Sequence, residues 1–99
     1  MAYVIFEVKS AEAGKIQTML QDEIVNRQSI VIRDANSLDV KGSVSFLKVE
    51  GSVEGLKRAE ELAKELGMKK LPEKKAKKIE DKIKEQEDSA ATGMGMIFD

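Results

Sequence analysis

Cysteine and histidine are both absent from this chain of 99 residues. Without cysteine, disulfide bonds and thiolate metal sites are excluded. Without histidine, the chain lacks the commonest general base of enzymes and the commonest ligand of transition metals. Because these two absences remove much of enzyme chemistry, we expect a protein with no catalytic residues, no metal site and no cofactor.

Aromatic residues and long apolar runs are also scarce. Tryptophan is absent, and one tyrosine and three phenylalanines are the only side chains that could stack on nucleic-acid bases. The sequence contains no run of roughly 18 apolar residues, as a membrane-spanning helix would need, and its first residues do not resemble a secretory signal peptide. These features predict a cytoplasmic protein that does not enter a membrane.

Charged residues, in contrast, are abundant and almost balanced. Seventeen basic and 18 acidic residues give a net charge of −1 at neutral pH. The chain is long enough for a single domain with a thin core. A composition rich in lysine, glutamate, isoleucine and valine, without cysteine or histidine, favours a thermophilic source.

Alternating and helical apolar spacings predict an α+β fold. Strand patterns occupy residues 3–9, 29–34 and 43–50, and helical patterns occupy 10–27 and 52–67. This order predicts one antiparallel sheet packed against two helices, β-α-β-β-(β)-α, as in ferredoxin-like, KH-like and TATA-binding-protein-like half-domains. The choice among them depends on whether residues 38–40 and 68–71 are strands.

The helix boundaries follow from capping residues. Ser10 and Ser52 are predicted N-caps, and Gly67 is placed to end the second helix in a left-handed conformation. The glycines of segment 51–55 (GSVEG) are spaced one residue too far apart for a KH loop and match no nucleotide-binding glycine motif. We therefore predict that this segment caps a helix.

Three parts follow one another along the chain. Residues 1–71 are predicted to form the α+β domain, 72–88 a charged helix that begins at Pro72, and 89–99 a flexible tail. Only Ala76, Ile79 and Ile83 give the charged helix an apolar side. Because that stripe is narrow, we expect the helix to project or to dock loosely.

The strongest electrostatic feature is a run of lysines at the start of the charged helix. Residues 67–79 contain six lysines and one carboxylate, Glu73, for a local charge of +5. Lysines at this density attract phosphate groups, which predicts a nucleic-acid-binding surface. Its members are Lys69, Lys70, Lys74, Lys75, Lys77 and Lys78.

Three carboxylates are candidates for a magnesium or acid–base site. Glu7 lies in the first strand, whereas Asp34 and Asp39 lie among turn-forming residues. Short carboxylates in turns usually accept hydrogen bonds from nearby backbone groups. We therefore predict a structural role for Asp34 and Asp39.

The tail ends in an apolar group with a counterpart in a known family. Met94, Met96, Ile97 and Phe98 form this group, which is a predicted protein-docking segment. With Glu85, Glu87 and Asp88 before it, the ending Met-Gly-Met-Ile-Phe-Asp resembles that of the acidic ribosomal stalk proteins, whose tails bind translational GTPases. The resemblance implies a translation-linked protein partner. The chain as a whole is similar to small archaeal α+β proteins.

Two kinds of function remain after these exclusions. The first is a non-catalytic binding module, monomeric or weakly self-associating, whose partner is nucleic acid or a translation-linked protein. The second is a homo-oligomeric structural protein, in which strand edges or the Ile79/Ile83 stripe pair between chains and the tail fills a neighbour's groove. We favour the first because it accounts for the segregated lysines.

Overall fold

A computed structural model of the chain describes the backbone of residues 2–98 and the side chains of residues 2–87. Within these limits the chain forms four strands, three α-helices and three short 3₁₀ helices. The predicted tail and its docking residues, Met94, Met96, Ile97 and Phe98, lie outside the described side chains. The strands are β1 (Ala2–Lys9), β2 (Ser29–Asp34), β3 (Val44–Gly51) and β4 (Lys69–Lys70), the α-helices are α1 (Gly14–Leu20), α2 (Val53–Leu66) and α3 (Glu73–Phe98), and the 3₁₀ helices are Ser10–Glu12, Val25–Arg27 and Asn36–Leu38.

The four strands make one antiparallel sheet in the order β2-β3-β1-β4. β1 pairs with β3 along its whole length, from Ala2 opposite Gly51 to Lys9 opposite Val44. With α1 joining β1 to β2 and α2 joining β3 to β4, this order is the split β-α-β arrangement of ferredoxin-like folds. The predicted α+β class is confirmed, and the sheet order selects the ferredoxin-like alternative.

The two segments that left the topology open have different structures. Lys69 and Lys70 pair with Glu7 and Phe6, so a fourth strand forms within residues 68–71. Residues 38–40 do not form a strand, because a 3₁₀ helix ends at Leu38 and Asp39 has a left-handed φ of 57°. The chain turns here so that the side chain of Leu38 enters the core.

One face of the sheet is covered by α1 and α2. Alternation along β1 places Phe6 and Val8 on this face, where Leu47 and Val49 of β3 also lie. α1 and α2 contribute Ile16, Met19, Leu56, Ala59 and Ala63, and the buried set also includes Val25 and Met68.

The opposite face is covered by α3. Ala76, Ile79 and Ile83 are buried there against Ile5 and Phe46 in a second core. The loose docking predicted from the narrow stripe is therefore wrong. Three apolar side chains are sufficient because the sheet beneath supplies large residues that complete the contact. The fold has three layers, with the sheet between α3 and the other two helices.

α1 is shorter than predicted. The helix expected over residues 10–27, with Ser10 as its N-cap, is replaced by α1, whose N-terminus has no side-chain cap. Asp22 stops the helix because its Oδ1 accepts the backbone N–H groups of Ile24 and Val25, at 3.0 and 3.1 Å. The resulting turn buries Val25 and leaves Ile24 36% exposed. A helix continued through this segment with the same apolar spacing would bury Ile24, whereas the structure buries Val25.

α2 has both predicted caps. Ser52 Oγ accepts the backbone N–H of Gly55 at 3.1 Å, and Gly67 ends the helix with a φ of 73°. The side chain of Gln28 adds a second contact, since its Oε1 accepts the N–H of Ser52 at 3.1 Å. The glycine segment 51–55 thus serves capping, as predicted.

Replacing Gly55 by alanine should lower the free energy of unfolding by about 1 kcal/mol. A Cβ at Gly55 would collide with the Gln28 amide, and displacing that amide breaks its hydrogen bonds to Ser52 N–H and Ile24 O. Their loss, about 1 kcal/mol each, outweighs the gain in helix propensity of about 1 kcal/mol. Urea denaturation followed by circular dichroism measures the change.

The sign of this effect depends on Gln28. In a Gln28→Ala background the collision is gone, so Gly55→Ala should stabilise the protein by up to about 1 kcal/mol. Gly14→Ala is the matched control, because nothing lies within 4 Å of the added Cβ, and it should also stabilise the fold. An equal effect of Gly55→Ala in both backgrounds would contradict the proposed collision.

Candidate nucleic-acid interface

The predicted lysines lie on β4 and the first two turns of α3. The β4 register places Lys69 beside Glu7 and Lys70 beside Phe6, so the two lysines are on opposite faces of the sheet. Lys70 is on the α2 side and forms an ion pair with Glu60. Lys69 is on the α3 side.

The lysines of α3 are on the outer surface of that helix. Ala76 and Ile79 face the sheet, while the four lysines around them, Lys74, Lys75, Lys77 and Lys78, are exposed. Lys75 Nζ lies 3.8 Å from Glu7 Oε1, at the side of the helix nearest β1. Buried apolar positions thus alternate with lysines that reach solvent.

The structure divides the six lysines into two groups. Lys70 and Lys75 are partly neutralised by Glu60 and Glu7. The other four have no carboxylate within 4.0 Å among the described side chains, and we call them the free lysines: Lys69, Lys74, Lys77 and Lys78. The surface that could hold an anion is therefore centred on the free lysines.

Beneath this surface, a buried ion pair connects α3 to the sheet. Lys48 Nζ of β3 lies 2.7 Å from Glu80 Oε1, and each of these two residues is only 7% exposed. Glu50 Oε1 is 3.7 Å from the same Nζ, and the ring centroid of Tyr3 is 5.3 Å away. Lys84 Nζ, 3.7 Å from Glu80, adds a cation from the solvent side. The pair fixes the position of α3 along the sheet.

Tyr3 and Glu80 lie close enough to shift each other's pKa values. Burial alone would raise the pKa of Glu80, but hydrogen bonds from Lys48 and Tyr3 hold it below its ordinary value. Burial and the nearby Glu80 carboxylate raise the pKa of Tyr3 to about 12. The hydroxyl of Tyr3 therefore stays protonated at neutral pH.

Titration of Tyr3 should show a midpoint near 12 in the folded protein. Phenolate absorbance reports this group alone, because the chain has one tyrosine and no tryptophan. In guanidinium chloride the midpoint should fall to about 10. Because the folded pKa is the higher one, stability that depends on neutral Tyr3 is present below pH 10 and decreases as pH rises toward 12. A midpoint that is the same in both states would contradict the burial of Tyr3 beside the Glu80 carboxylate.

A hollow of about 640 Å³ lies between the start of β1 and the β4–α3 connection. Its charged lining residues are Lys70 and Glu73, which have opposite signs. The rest of the lining is apolar or backbone, from Ala2, Tyr3, Val4, Ile5, Leu71, Pro72 and Ala76. Because this lining contains one cation and one carboxylate, it does not favour an anion. The lysine surface is the better candidate for an anion-binding site.

Each of the three candidate carboxylates has a different structural role. Asp34 Oδ1 accepts the backbone N–H of Ser37 at 2.8 Å, Asp39 occupies a left-handed turn, and Glu7 contacts Lys75. Within residues 2–87, no three acidic side chains converge on a point where they could hold a metal ion.

The ion pair is the part of the site that sequence reasoning missed. Lys48 interrupts an apolar strand, Phe46-Leu47-Lys48-Val49, and such a charge predicts a buried partner. Nothing in the pattern identifies that partner as Glu80, 32 residues later.

Comparisons with known proteins identify no relative of this chain. No family model, no curated protein and no solved structure matches this chain. Among the described residues, no helix has both the length and the apolar character needed to cross a bilayer.

Proposed function

We propose that this chain is a non-catalytic module that binds nucleic acid through the exposed lysines of β4 and α3. The observation that carries the proposal is the group of free lysines, Lys69, Lys74, Lys77 and Lys78, which lie on β4 and the start of α3 in a chain whose net charge is −1. Each lysine placed against a phosphate releases a condensed counterion, which makes such a surface attractive to a polyanion.

Some of the other cations have a structural role. Lys15, Lys48, Arg58 and Lys84 each lie within 4.0 Å of a carboxylate. Most of these contacts hold one element of the fold to another or stabilise a helix turn. The free lysines make no such contact among the described side chains, and they differ from other exposed lysines such as Lys41 and Lys57 in lying close together in the sequence, on β4 and the start of α3.

The alternative of strand or helix pairing between copies is less well supported. Ile79 and Ile83 are buried in the second core and are not available to a neighbouring chain. At the outer edge of β2, Arg33 Nη1 donates to Ile32 O at 2.9 Å and Ser37 Oγ donates to Asp34 O at 2.9 Å. These side chains occupy edge carbonyls that another strand would need.

Replacing Lys74, Lys77 and Lys78 together by glutamine should weaken nucleic-acid binding. Loss of three phosphate contacts should make the slope of log K against log salt shallower by about 3. Fluorescence anisotropy with a labelled DNA of mixed sequence, single-stranded or annealed, measures affinity and slope. Circular dichroism should show an unchanged fold, because all three side chains are exposed.

The matched control removes three lysines from elsewhere. Lys41, Lys57 and Lys64 are exposed and lie outside β4 and α3. Their replacement by glutamine changes the net charge equally. Equal weakening by both triple variants would mean that net charge, and not this surface, governs binding, and no binding by the unmodified chain would refute the proposal.

A further inference from the structure

We infer that the lysine surface recognises the phosphate backbone of double-stranded nucleic acid, without regard to base sequence. The inference rests on the proposed function and specifies its ligand. Three properties of the surface carry it within residues 2–87: it has no platform of several aromatic rings, its arginine and glutamine are bonded to each other, and the position of its lysines is fixed.

The first property concerns stacking. Proteins that hold single strands usually stack the bases on exposed aromatic rings. Within residues 2–87, Phe6 and Phe46 are buried in the two cores. Tyr3 is half-buried, with its ring beside Lys48. Tyr3 is therefore the single ring among residues 2–87 that reaches solvent, whereas stacking along a single strand uses several rings in succession.

The second property concerns sequence reading. Bidentate contacts to base edges come mainly from arginine, asparagine and glutamine. Arg33 of β2 and Gln86 of α3 are of this kind, but they are joined to each other, with Arg33 Nε donating to Gln86 Oε1 at 2.8 Å. Gln86 also donates to Ser37 O at 2.8 Å. Within residues 73–85, the exposed side chains of α3 are lysines, point charges that suit phosphate and do not discriminate bases, and three carboxylates, Glu73, Asp81 and Glu85.

The third property concerns rigidity. Ile79, Ile83 and the Lys48–Glu80 pair hold α3 against the sheet, so the backbone positions of its lysines are fixed. Lys74 and Lys78 are one turn apart, a rise of about 6 Å. A duplex carries one charge per roughly 1.7 Å of its axis, so several phosphates lie along that distance. A flexible single strand would have to be ordered to present as many.

Fluorescence anisotropy with the full chain tests the inference. The probes are a DNA duplex, an RNA duplex, a second DNA duplex of unrelated sequence, and one separated strand of the first. We expect the first DNA duplex to bind at least about tenfold more tightly than its strand, and the two DNA duplexes to agree within about twofold. Between about 50 and 200 mM salt, four lysine contacts should cost about a hundredfold in affinity. Comparison of the RNA and DNA duplexes identifies which one is preferred, and preference for either supports the inference.

Other outcomes separate this inference from the function on which it rests. Equal or tighter binding of the single strand, still weakened by the Lys74/Lys77/Lys78 variant, would overturn the duplex inference and leave the proposed function standing. Different affinities for the two DNA duplexes would overturn sequence independence. Binding to vesicles rich in acidic phospholipid, with none to any nucleic acid, would overturn both. Phe98→Ala should leave duplex affinity unchanged, since a loss would indicate that stacking contributes.

Discussion

Replacing Glu80 by alanine should lower the free energy of unfolding by about 3–5 kcal/mol, because the change leaves a buried lysine without its counter-charge. Lys48 is 7% exposed and its Nζ lies 2.7 Å from Glu80. The remaining carboxylate near it, Glu50, is 3.7 Å away and cannot replace a direct hydrogen bond. Urea denaturation followed by circular dichroism would measure the loss.

Two further variants separate the ion pair from other effects. Glu85→Ala removes an exposed carboxylate from the same helix and should change stability by less than about 0.5 kcal/mol. The double variant Lys48→Met/Glu80→Leu removes both charges while retaining volume. It should be at least as stable as the unmodified protein, since apolar replacements of buried pairs are often neutral or stabilising by about 1–4 kcal/mol. A Glu80→Ala effect no larger than that of Glu85→Ala would show that Lys48 reaches water instead.

The predictable parts of the fold are those in which the apolar spacing or a capping residue in the local sequence matches the position of the segment in the folded protein. Along β1, the alternation of Val4, Phe6 and Val8 identifies the strand, and the structure places this set on the face covered by α1 and α2. For α2, the caps Ser52 and Gly67 are local in sequence, and a local rule was sufficient to find them.

The parts that were not predictable depend on residues far apart in sequence. The buried side of α3 includes Glu80, which any hydropathy pattern counts as polar. Its partner, Lys48, lies 32 residues earlier in the chain, on the other side of α2 and β4. α1 was overestimated for a different reason, because Asp22 captures two backbone N–H groups and ends the helix where the apolar spacing continued.

The exposure of the six lysines was predictable from the sequence, but their ion pairs were not. All six lysines are exposed, as the density of charge suggested. Which of them are neutralised could not be predicted, since Glu60 and Glu7 reach Lys70 and Lys75 only through the pairing of β4 with β1 and the position of α3. Nucleic-acid binding is a proposal. The sequence supports it by the density of lysines, and the structure supports it by leaving four of them without an ion pair among the described side chains.

Replacing Ile83 by alanine should cost about 2–5 kcal/mol, because it opens a cavity between α3 and the sheet. Ile83 is 1% exposed and belongs to the second core, together with Ile5 and Phe46. If the sheet and its first two helices were stable without α3, the same change would be almost silent. The size of the loss therefore measures how far α3 is part of the folding unit.

Ile32→Ala is the matched control for this last change. Ile32 lies on the edge strand β2 and is 39% exposed, so its truncation should cost clearly less than that of Ile83, about 1 kcal/mol. Both variants remove the same atoms, and the difference between them isolates burial. A cooperative unfolding curve shifted strongly by Ile83→Ala and weakly by Ile32→Ala would mean that α3 and the sheet unfold as one unit. Equal small shifts would mean instead that α3 detaches before the sheet unfolds. The lysines of α3 would then not be held at fixed positions against the phosphates of a duplex.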